Sequence, residues 1–135
     1  MEKRLIKEAI NARKNAYTPY SGFCVGAALL GKSGKIYTGC NIENAGYTPS
    51  NCAERTAFFK AVSEGEKEFE MIAIVAGPKD GDLIFTAPCG VCRQVMMEFC
   101  DYDTFRIHLA TSEDDYQTLT LKELLPYGFG PNNLA

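Results

Sequence analysis

Cys52-Ala53-Glu54 and Pro88-Cys89-Gly90-Val91-Cys92 are the two stretches on which the fold and the chemistry of this chain depend. Together they supply three thiols and one carboxylate. Each stretch lies where a helical pattern begins, so Cys52 and Cys89 are predicted near helix starts. Cys89 and Cys92 are three positions apart, which places them on the same face of a helical turn. Their sulfurs can therefore converge on a single ion, with Cys52 completing the triangle.

Zinc is the ion that prefers such a set of ligands. It accepts thiolate sulfur at about 2.3 Å and takes four tetrahedral ligands, so three protein ligands leave one position for water or substrate. Helix N-termini favour the thiolate over the thiol. Glu54 lies two residues from Cys52, near enough to move protons at the open position while remaining outside the ligand set. The spacing predicts a catalytic zinc centre with Glu54 as general acid and base.

Hydrophobic periodicity on either side of these stretches predicts alternating helices and strands. Lys32-Ser33-Gly34-Lys35 is suited to a hairpin turn between the first two strands. The predicted order is helix, strand, strand, helix, strand, helix, strand and a short helical piece, which indicates an α/β sandwich with a mixed sheet. The predicted helices cover residues 5–17, 52–64, 89–100 and 121–125, and the predicted strands cover residues 23–30, 36–41, 71–76 and 105–110.

Length and composition indicate one globular domain, residues 1–135, with 46% hydrophobic and 23% charged residues. A net charge of −3 and a pI of about 5.2 favour a small-molecule ligand over a nucleic acid, because the chain lacks a broad cationic surface. The first residues mix both charges, and no apolar stretch is long enough to span a bilayer. We therefore expect a cytoplasmic protein with no membrane partner, whose six cysteines are metal ligands or small buried residues.

The two stretches, extended to Cys52-Ala53-Glu54-Arg55 and Pro88-Cys89-Gly90-Val91-Cys92-Arg93-Gln94, resemble the zinc motifs of the short, single-domain cytidine deaminases. Further segments similar to that family follow in family order at Tyr17–Ser21, Val25–Leu29, Gly39–Ala45 and Leu124–Pro126. The resemblance implies a three-layer α/β sandwich with a mixed central sheet of about five strands. It also implies hydrolytic deamination of cytidine and 2′-deoxycytidine to uridine and 2′-deoxyuridine plus ammonia, in pyrimidine salvage, by a homotetramer with shared active sites.

The same resemblance assigns roles to individual residues. Zinc would be held by Cys52, Cys89 and Cys92, and Glu54 would carry protons between water and the base. Arg55 resembles the residue that hydrogen-bonds ligand sulfurs, where a permanent cation offsets the excess negative charge of three thiolates. The implied substrate contacts are Phe23 against the nucleoside, Asn41 and Glu43 on the ribose, and Ala53, with Ala45, Tyr47 and Phe129 expected to reach a neighbouring subunit's pocket.

Other interpretations of the same residues stay open at this point. A structural zinc site would recruit a fourth ligand from Cys24, Cys40, Cys100 or His108. A redox Cys-x-x-Cys pair would use Cys89 and Cys92 alone. A deaminase of a cytosine-containing antibiotic such as blasticidin S, a nucleic-acid editing enzyme and a non-catalytic zinc-stabilised module are the alternative functions. The Asn41-Ile42-Glu43 segment favours a nucleoside.

Overall fold

The computed structural model describes residues 1–135, and its elements follow the predicted order with one additional strand before the last helix. The helices are α1 (Glu2–Arg13), α2 (Ala53–Ser63), α3 (Gly90–Phe99) and α4 (Leu121–Leu124). The strands are β1 (Phe23–Gly31), β2 (Ile36–Cys40), β3 (Phe69–Pro78), β4 (Arg106–Ser112) and β5 (Asp115–Thr120). A single 3₁₀ turn, Pro131–Asn133, lies near the C-terminus.

The five strands form one sheet in the order β2-β1-β3-β4-β5. β3 and β4 are parallel, whereas every other neighbouring pair is antiparallel, so the sheet is mixed as predicted. β3 lies at the centre of the sheet, and its residues Met71 to Gly77 are all buried. An apolar run without alternation is typical of a strand that is covered on both faces.

Helices cover both faces of this sheet. On one face, Leu5, Ile6 and Ala9 of α1 pack in an apolar cluster with side chains of β1, β3 and β4. On the other face, Phe58 of α2 and Met96 of α3 belong to a second, larger cluster. The result is a three-layer α/β sandwich with five strands, which confirms the predicted fold class. None of the helices is both long enough and apolar enough to cross a membrane.

Two glycines let helix backbones approach the sheet without a side chain between them. A Cβ atom at Gly39 of β2 would collide with the backbone carbonyl oxygen of Ala53 in the first turn of α2. A Cβ atom at Gly26 of β1 would collide in the same way with the backbone of α1 at Ala9. Gly39 therefore sets how closely the start of α2, which carries Cys52 and Glu54, lies against the sheet.

The structure differs from the sequence prediction in two places. β5 was not predicted by periodicity, because this edge strand is mostly polar and only partly covered, so it shows no apolar pattern. The first helix ends at Arg13 rather than Tyr17, because Tyr17 donates its backbone N–H to the Asn41 carbonyl at 3.0 Å and pairs with the chain around Ile42. This pairing places residues 17–22 beside residues 41–43.

Candidate metal centre

Three thiols converge where two helices begin. Cys52 and Cys89 are the N-cap residues of α2 and α3, and Cys92 lies in the first turn of α3. The Sγ atom of Cys89 lies 3.7 Å from that of Cys52 and 3.4 Å from that of Cys92. All three sulfurs lie within 4.8 Å of one another. The positive ends of both helix dipoles therefore point at the cluster and favour its negative charge.

The arrangement of these sulfurs fits zinc. Two thiolates bound to one tetrahedral zinc ion at about 2.3 Å are separated by about 3.8 Å, close to the observed Sγ–Sγ distances. No fourth cysteine or histidine joins the group. Three ligands leave a tetrahedral ion with one open position, which is the arrangement of catalytic sites, whereas structural sites close all four positions.

The other candidate ligands lie apart from this cluster. His108 is buried in β4, with Nδ1 2.7 Å from the Thr118 hydroxyl and Nε2 3.4 Å from the Met71 sulfur, so it is a satisfied core residue. Cys24, Cys40 and Cys100 are free thiols outside the cluster. A four-ligand structural site, the first alternative, has no fourth ligand among these side chains.

Comparisons with known proteins agree with this geometry. A protein-family model described as "Cytidine and deoxycytidylate deaminase zinc-binding region" matches residues 1–107. A cytidine deaminase of Halalkalibacterium halodurans is 54% identical over 93% of this chain and 91% of its own length. A cytidine deaminase of Sporosarcina psychrophila is 47% identical over 98% of this chain and 94% of its own. The crystal structure of cytidine deaminase from Burkholderia pseudomallei superposes with a TM-score of 0.85, at 44% identity, over 96% of this chain and 99% of that one.

The chain belongs to the cytidine and deoxycytidylate deaminase family. In this family the matched region binds zinc, and the three converging thiols are the residues placed to hold it. Zinc is therefore the cofactor, as the sequence predicted. A redox Cys89–Cys92 pair would leave the third sulfur, which completes the zinc-binding triangle, without a role.

The deaminase-family site contains one buried carboxyl group, that of Glu54. Its side chain is only 4% exposed, in the first turn of α2. Burial, followed by the negative charge of Cys52, raises the pKa of Glu54 to about 7. A carboxyl group with a pKa near neutrality can both accept and donate a proton, which a general acid and base must do. A bound cation would shift this group toward its carboxylate form.

The pKa values of the Cys52 and Cys92 thiols are shifted in opposite directions. Its interaction with Cys92, and then the guanidinium of Arg55, lower the pKa of the Cys52 thiol to about 5. The same interaction with Cys52, together with burial, raises the pKa of the Cys92 thiol. Arg55 donates from Nη2 to the Cys52 sulfur at 3.2 Å, and its buried Nε has no hydrogen-bond partner. The Arg55 cation is therefore held against a sulfur of the thiol cluster, and its support of a zinc ligand stays a prediction.

A cavity of about 400 Å³ opens beside the thiol cluster. It brings together most of the predicted site residues: Phe23, Asn41, Glu43, Cys52, Glu54, Arg55 and Cys89. Ala53 is fully buried beneath them and does not line the cavity. A pocket of this size, with apolar walls and a few polar groups, is typical of small-molecule sites.

Three predicted substrate contacts do not line this cavity within one chain. Ala45 is exposed, Tyr47 is 78% exposed in a left-handed backbone conformation (φ 60°), and Phe129 is 56% exposed. The prediction that they reach a neighbouring subunit's pocket stays a prediction. The backbone carbonyl of Phe129 accepts a hydrogen bond from the Gln94 side chain of α3 at 2.8 Å, which ties the C-terminal segment to the helix that carries two of the thiols.

Sequence reasoning missed several residues of the site. Arg93 donates from Nε to the Pro88 carbonyl at 2.7 Å and from Nη1 to the Leu124 carbonyl. It therefore fixes the backbone directly before Cys89. Its position directly after the Cys-x-x-Cys pair was the signal that could have identified it. The further lining residues that were missed are Ser21, Val25, Ser50, Asn51, Ile74, Thr86 and Ala87. Because they come from five separate segments, no local pattern links them.

Replacing Arg55 by Gln is expected to weaken zinc binding and turnover by about 10- to 100-fold, the range typical of residues that support metal ligands. The substitution removes the only cation that contacts a cluster sulfur, at 3.2 Å from Cys52. Competition with a chelator measures zinc affinity, and steady-state kinetics measures turnover. Arg55→Lys is expected to restore the charge but only part of the effect, because an ammonium lacks the planar fork of the guanidinium. Wild-type affinity and turnover in Arg55→Gln would contradict this role.

Proposed function

We propose that this single domain, residues 1–135, hydrolyses cytidine and 2′-deoxycytidine to uridine and 2′-deoxyuridine, with release of ammonia. The observation that carries the proposal is the placement of Glu54, a buried carboxyl group, beside a three-thiol cluster on the wall of a nucleoside-sized cavity. The same cavity bears Asn41 and Glu43, which can bind a sugar. The family membership and the relatives named as cytidine deaminases support the same substrate class.

Cys52, Cys89 and Cys92 would hold zinc, and Glu54 would move the protons. When bound, zinc acts as a Lewis acid that lowers the pKa of a water molecule from about 15.7 toward about 7. Glu54 takes one proton from water and delivers it to N3 of the pyrimidine as the water oxygen adds to C4. It then passes the second proton of that water to the departing 4-amino group, which leaves as ammonia. Burial of Glu54 keeps competing solvent away from this exchange.

Asn41 and Glu43 would bind the sugar. The Asn41 side-chain oxygen accepts the Val25 backbone N–H at 2.9 Å, and its nitrogen donates to the Phe23 carbonyl at 2.8 Å. These bonds fix the amide and leave it one N–H for a ligand. The Glu43 carboxylate offers acceptors beside it, so a sugar hydroxyl meets a donor and an acceptor together. Phe23 would pack on the nucleoside.

A homotetramer with shared active sites is the assembly that we propose. The large aromatic side chains that are exposed in the single chain include those of Tyr47, Phe59, Phe85 and Phe129. In the assembly Ala45, Tyr47 and Phe129 would complete a neighbour's cavity.

The proposed location of the enzyme is the cytoplasm. Its six cysteines form no disulfide, which suits a reducing compartment. Its proposed reaction, the conversion of cytidine to uridine, assigns it to pyrimidine salvage.

Loss of the ultraviolet absorbance of cytidine and 2′-deoxycytidine in the presence of zinc-loaded protein is the expected result that tests this function. Blasticidin S and a cytosine-containing DNA single strand serve as competing substrates in the same assay. Strong preference for the antibiotic would replace the nucleoside assignment with antibiotic deamination, and salt-sensitive deamination of the strand would replace it with nucleic-acid editing. A protein that holds one zinc per chain and changes none of them would be a zinc-stabilised module.

A further inference from the structure

The hydroxyl of Ser21 joins the two segments that carry the proposed base and sugar contacts. Ser21 lies in the turn before β1 and lines the cavity beside the thiol cluster. Its Oγ accepts the backbone N–H of Phe23 at 3.0 Å and donates to Oε2 of Glu43. One hydroxyl therefore holds the start of β1 and the carboxylate of Glu43 in a fixed relation.

The two carboxylate oxygens of Glu43 are held differently. Oε1 accepts two backbone N–H groups, those of Tyr20 at 3.0 Å and Ser21 at 3.1 Å. Oε2 has the Ser21 hydroxyl as its hydrogen-bond partner. These hydrogen bonds lower the pKa of Glu43, and the bond from the Ser21 hydroxyl contributes most. Glu43 therefore faces the cavity as a carboxylate that accepts hydrogen bonds. The backbone N–H groups hold Oε1, and the Ser21 hydroxyl fixes the rotation of the carboxylate group and therefore the direction of Oε2.

We propose that Ser21 is a positioning residue that makes the site selective for the sugar of its nucleoside. It orients the Glu43 carboxylate toward the 3′-hydroxyl, which cytidine and 2′-deoxycytidine share. This inference rests on the proposed function. Without the Ser21 hydroxyl, Oε1 would stay anchored by the backbone, but Oε2 would lose its fixed direction and part of its hydrogen bond to the sugar. The proton transfers by Glu54 would continue. Ser21 therefore affects substrate binding rather than the chemical step.

The test compares 2′-deoxycytidine with 2′,3′-dideoxycytidine, which differ only in the 3′-hydroxyl. Ser21→Ala is expected to raise KM for 2′-deoxycytidine about tenfold, the lower end expected for a hydrogen bond to a charged group, with kcat nearly unchanged. For 2′,3′-dideoxycytidine the same variant is expected to behave like the wild type. Ser21→Thr keeps the hydroxyl and is expected to restore KM. In a Glu43→Gln background, Ser21→Ala is expected to add little, because both changes remove one interaction.

Ser33 offers a matched control, because it lies in the turn that follows β1, whereas Ser21 lies in the turn that precedes β1. Its Oγ donates to Glu66 at 2.6 Å and accepts the Lys35 N–H at 3.2 Å, which repeats the arrangement at Ser21 in a turn away from the cavity. Ser33→Ala is expected to shift Tm about as much as Ser21→Ala and to leave the kinetics unchanged. A loss in Ser21→Ala that is equal for both substrates, or that falls on kcat, would overturn the proposal.

The Glu43→Gln arm separates the failure of this proposal from the failure of the proposed function. If Glu43→Gln impairs 2′-deoxycytidine selectively and Ser21→Ala does not, the sugar contact stands and the role of Ser21 is overturned. If Glu43→Gln impairs both substrates equally while the wild type deaminates them, the sugar contact is wrong and the proposal falls with it. If the wild type deaminates neither nucleoside, the proposed function itself is overturned.

Discussion

Glu54→Gln is expected to lower kcat by at least about 10²–10⁴, the usual contribution of a positioned general acid and base. Gln keeps the shape of the side chain but cannot carry a proton between water and the pyrimidine. The side chain is 4% exposed, so solvent cannot replace the carboxylate readily. Because the three thiols remain, the variant is expected to hold as much zinc as the wild type. Steady-state deamination kinetics and metal analysis of the same preparation measure both properties.

Glu64→Gln is the matched control for this substitution. Glu64 caps the C-terminal end of α2 and forms an exposed ion pair with Lys35. Its replacement removes the same charge at the end of α2 opposite to the thiols. Its expected effect is small, because exposed ion pairs contribute about 0–1 kcal/mol. Turnover by zinc-loaded Glu54→Gln at the wild-type rate would rule out Glu54 as the proton carrier.

Cys89→Ala is expected to abolish turnover and to leave the chain without stoichiometric zinc. The Cys89 sulfur lies 3.7 Å from the Cys52 sulfur and 3.4 Å from the Cys92 sulfur, and its removal leaves only two ligands. Two ligands bind zinc much more weakly than three, and the water would no longer be activated near neutral pH. Zinc content after dialysis against a chelator, measured with turnover, gives the result. Acid is expected to release zinc from the wild type, because a cysteine thiol must lose its proton to bind zinc and acid returns that proton.

Cys100→Ala controls for the loss of a cysteine from the same helix region. Cys100 caps the C-terminal end of α3, outside the thiol cluster, and packs against the apolar core. We expect this variant to keep one zinc per chain and to show only a small loss of stability. Full zinc content in Cys89→Ala would mean that the metal is held elsewhere, and the proposed centre would be wrong.

Local patterns in the sequence were sufficient for the metal centre. The three-residue spacing of Cys89 and Cys92 is converted directly into proximity by one helical turn, and Glu54 follows Cys52 closely enough to share its helix start. The apolar run of β3 likewise identified a strand covered on both faces. β5 escaped prediction because an edge strand with polar residues has no periodic apolar face.

Only the tertiary structure decided how the cavity is assembled. Close packing at Gly39 allows the start of α2 to lie against the sheet. Pairing of Tyr17 with Ile42 places Ser21 within hydrogen-bond distance of Glu43. These contacts join residues that are far apart in the sequence. The sequence by itself predicted the three thiols of the metal centre, the carboxyl group beside them and the class of fold, because helical spacing and apolar periodicity act within a few residues. The structure decided which side chains line the cavity, because that depends on the packing of separate segments, which local periodicity does not encode.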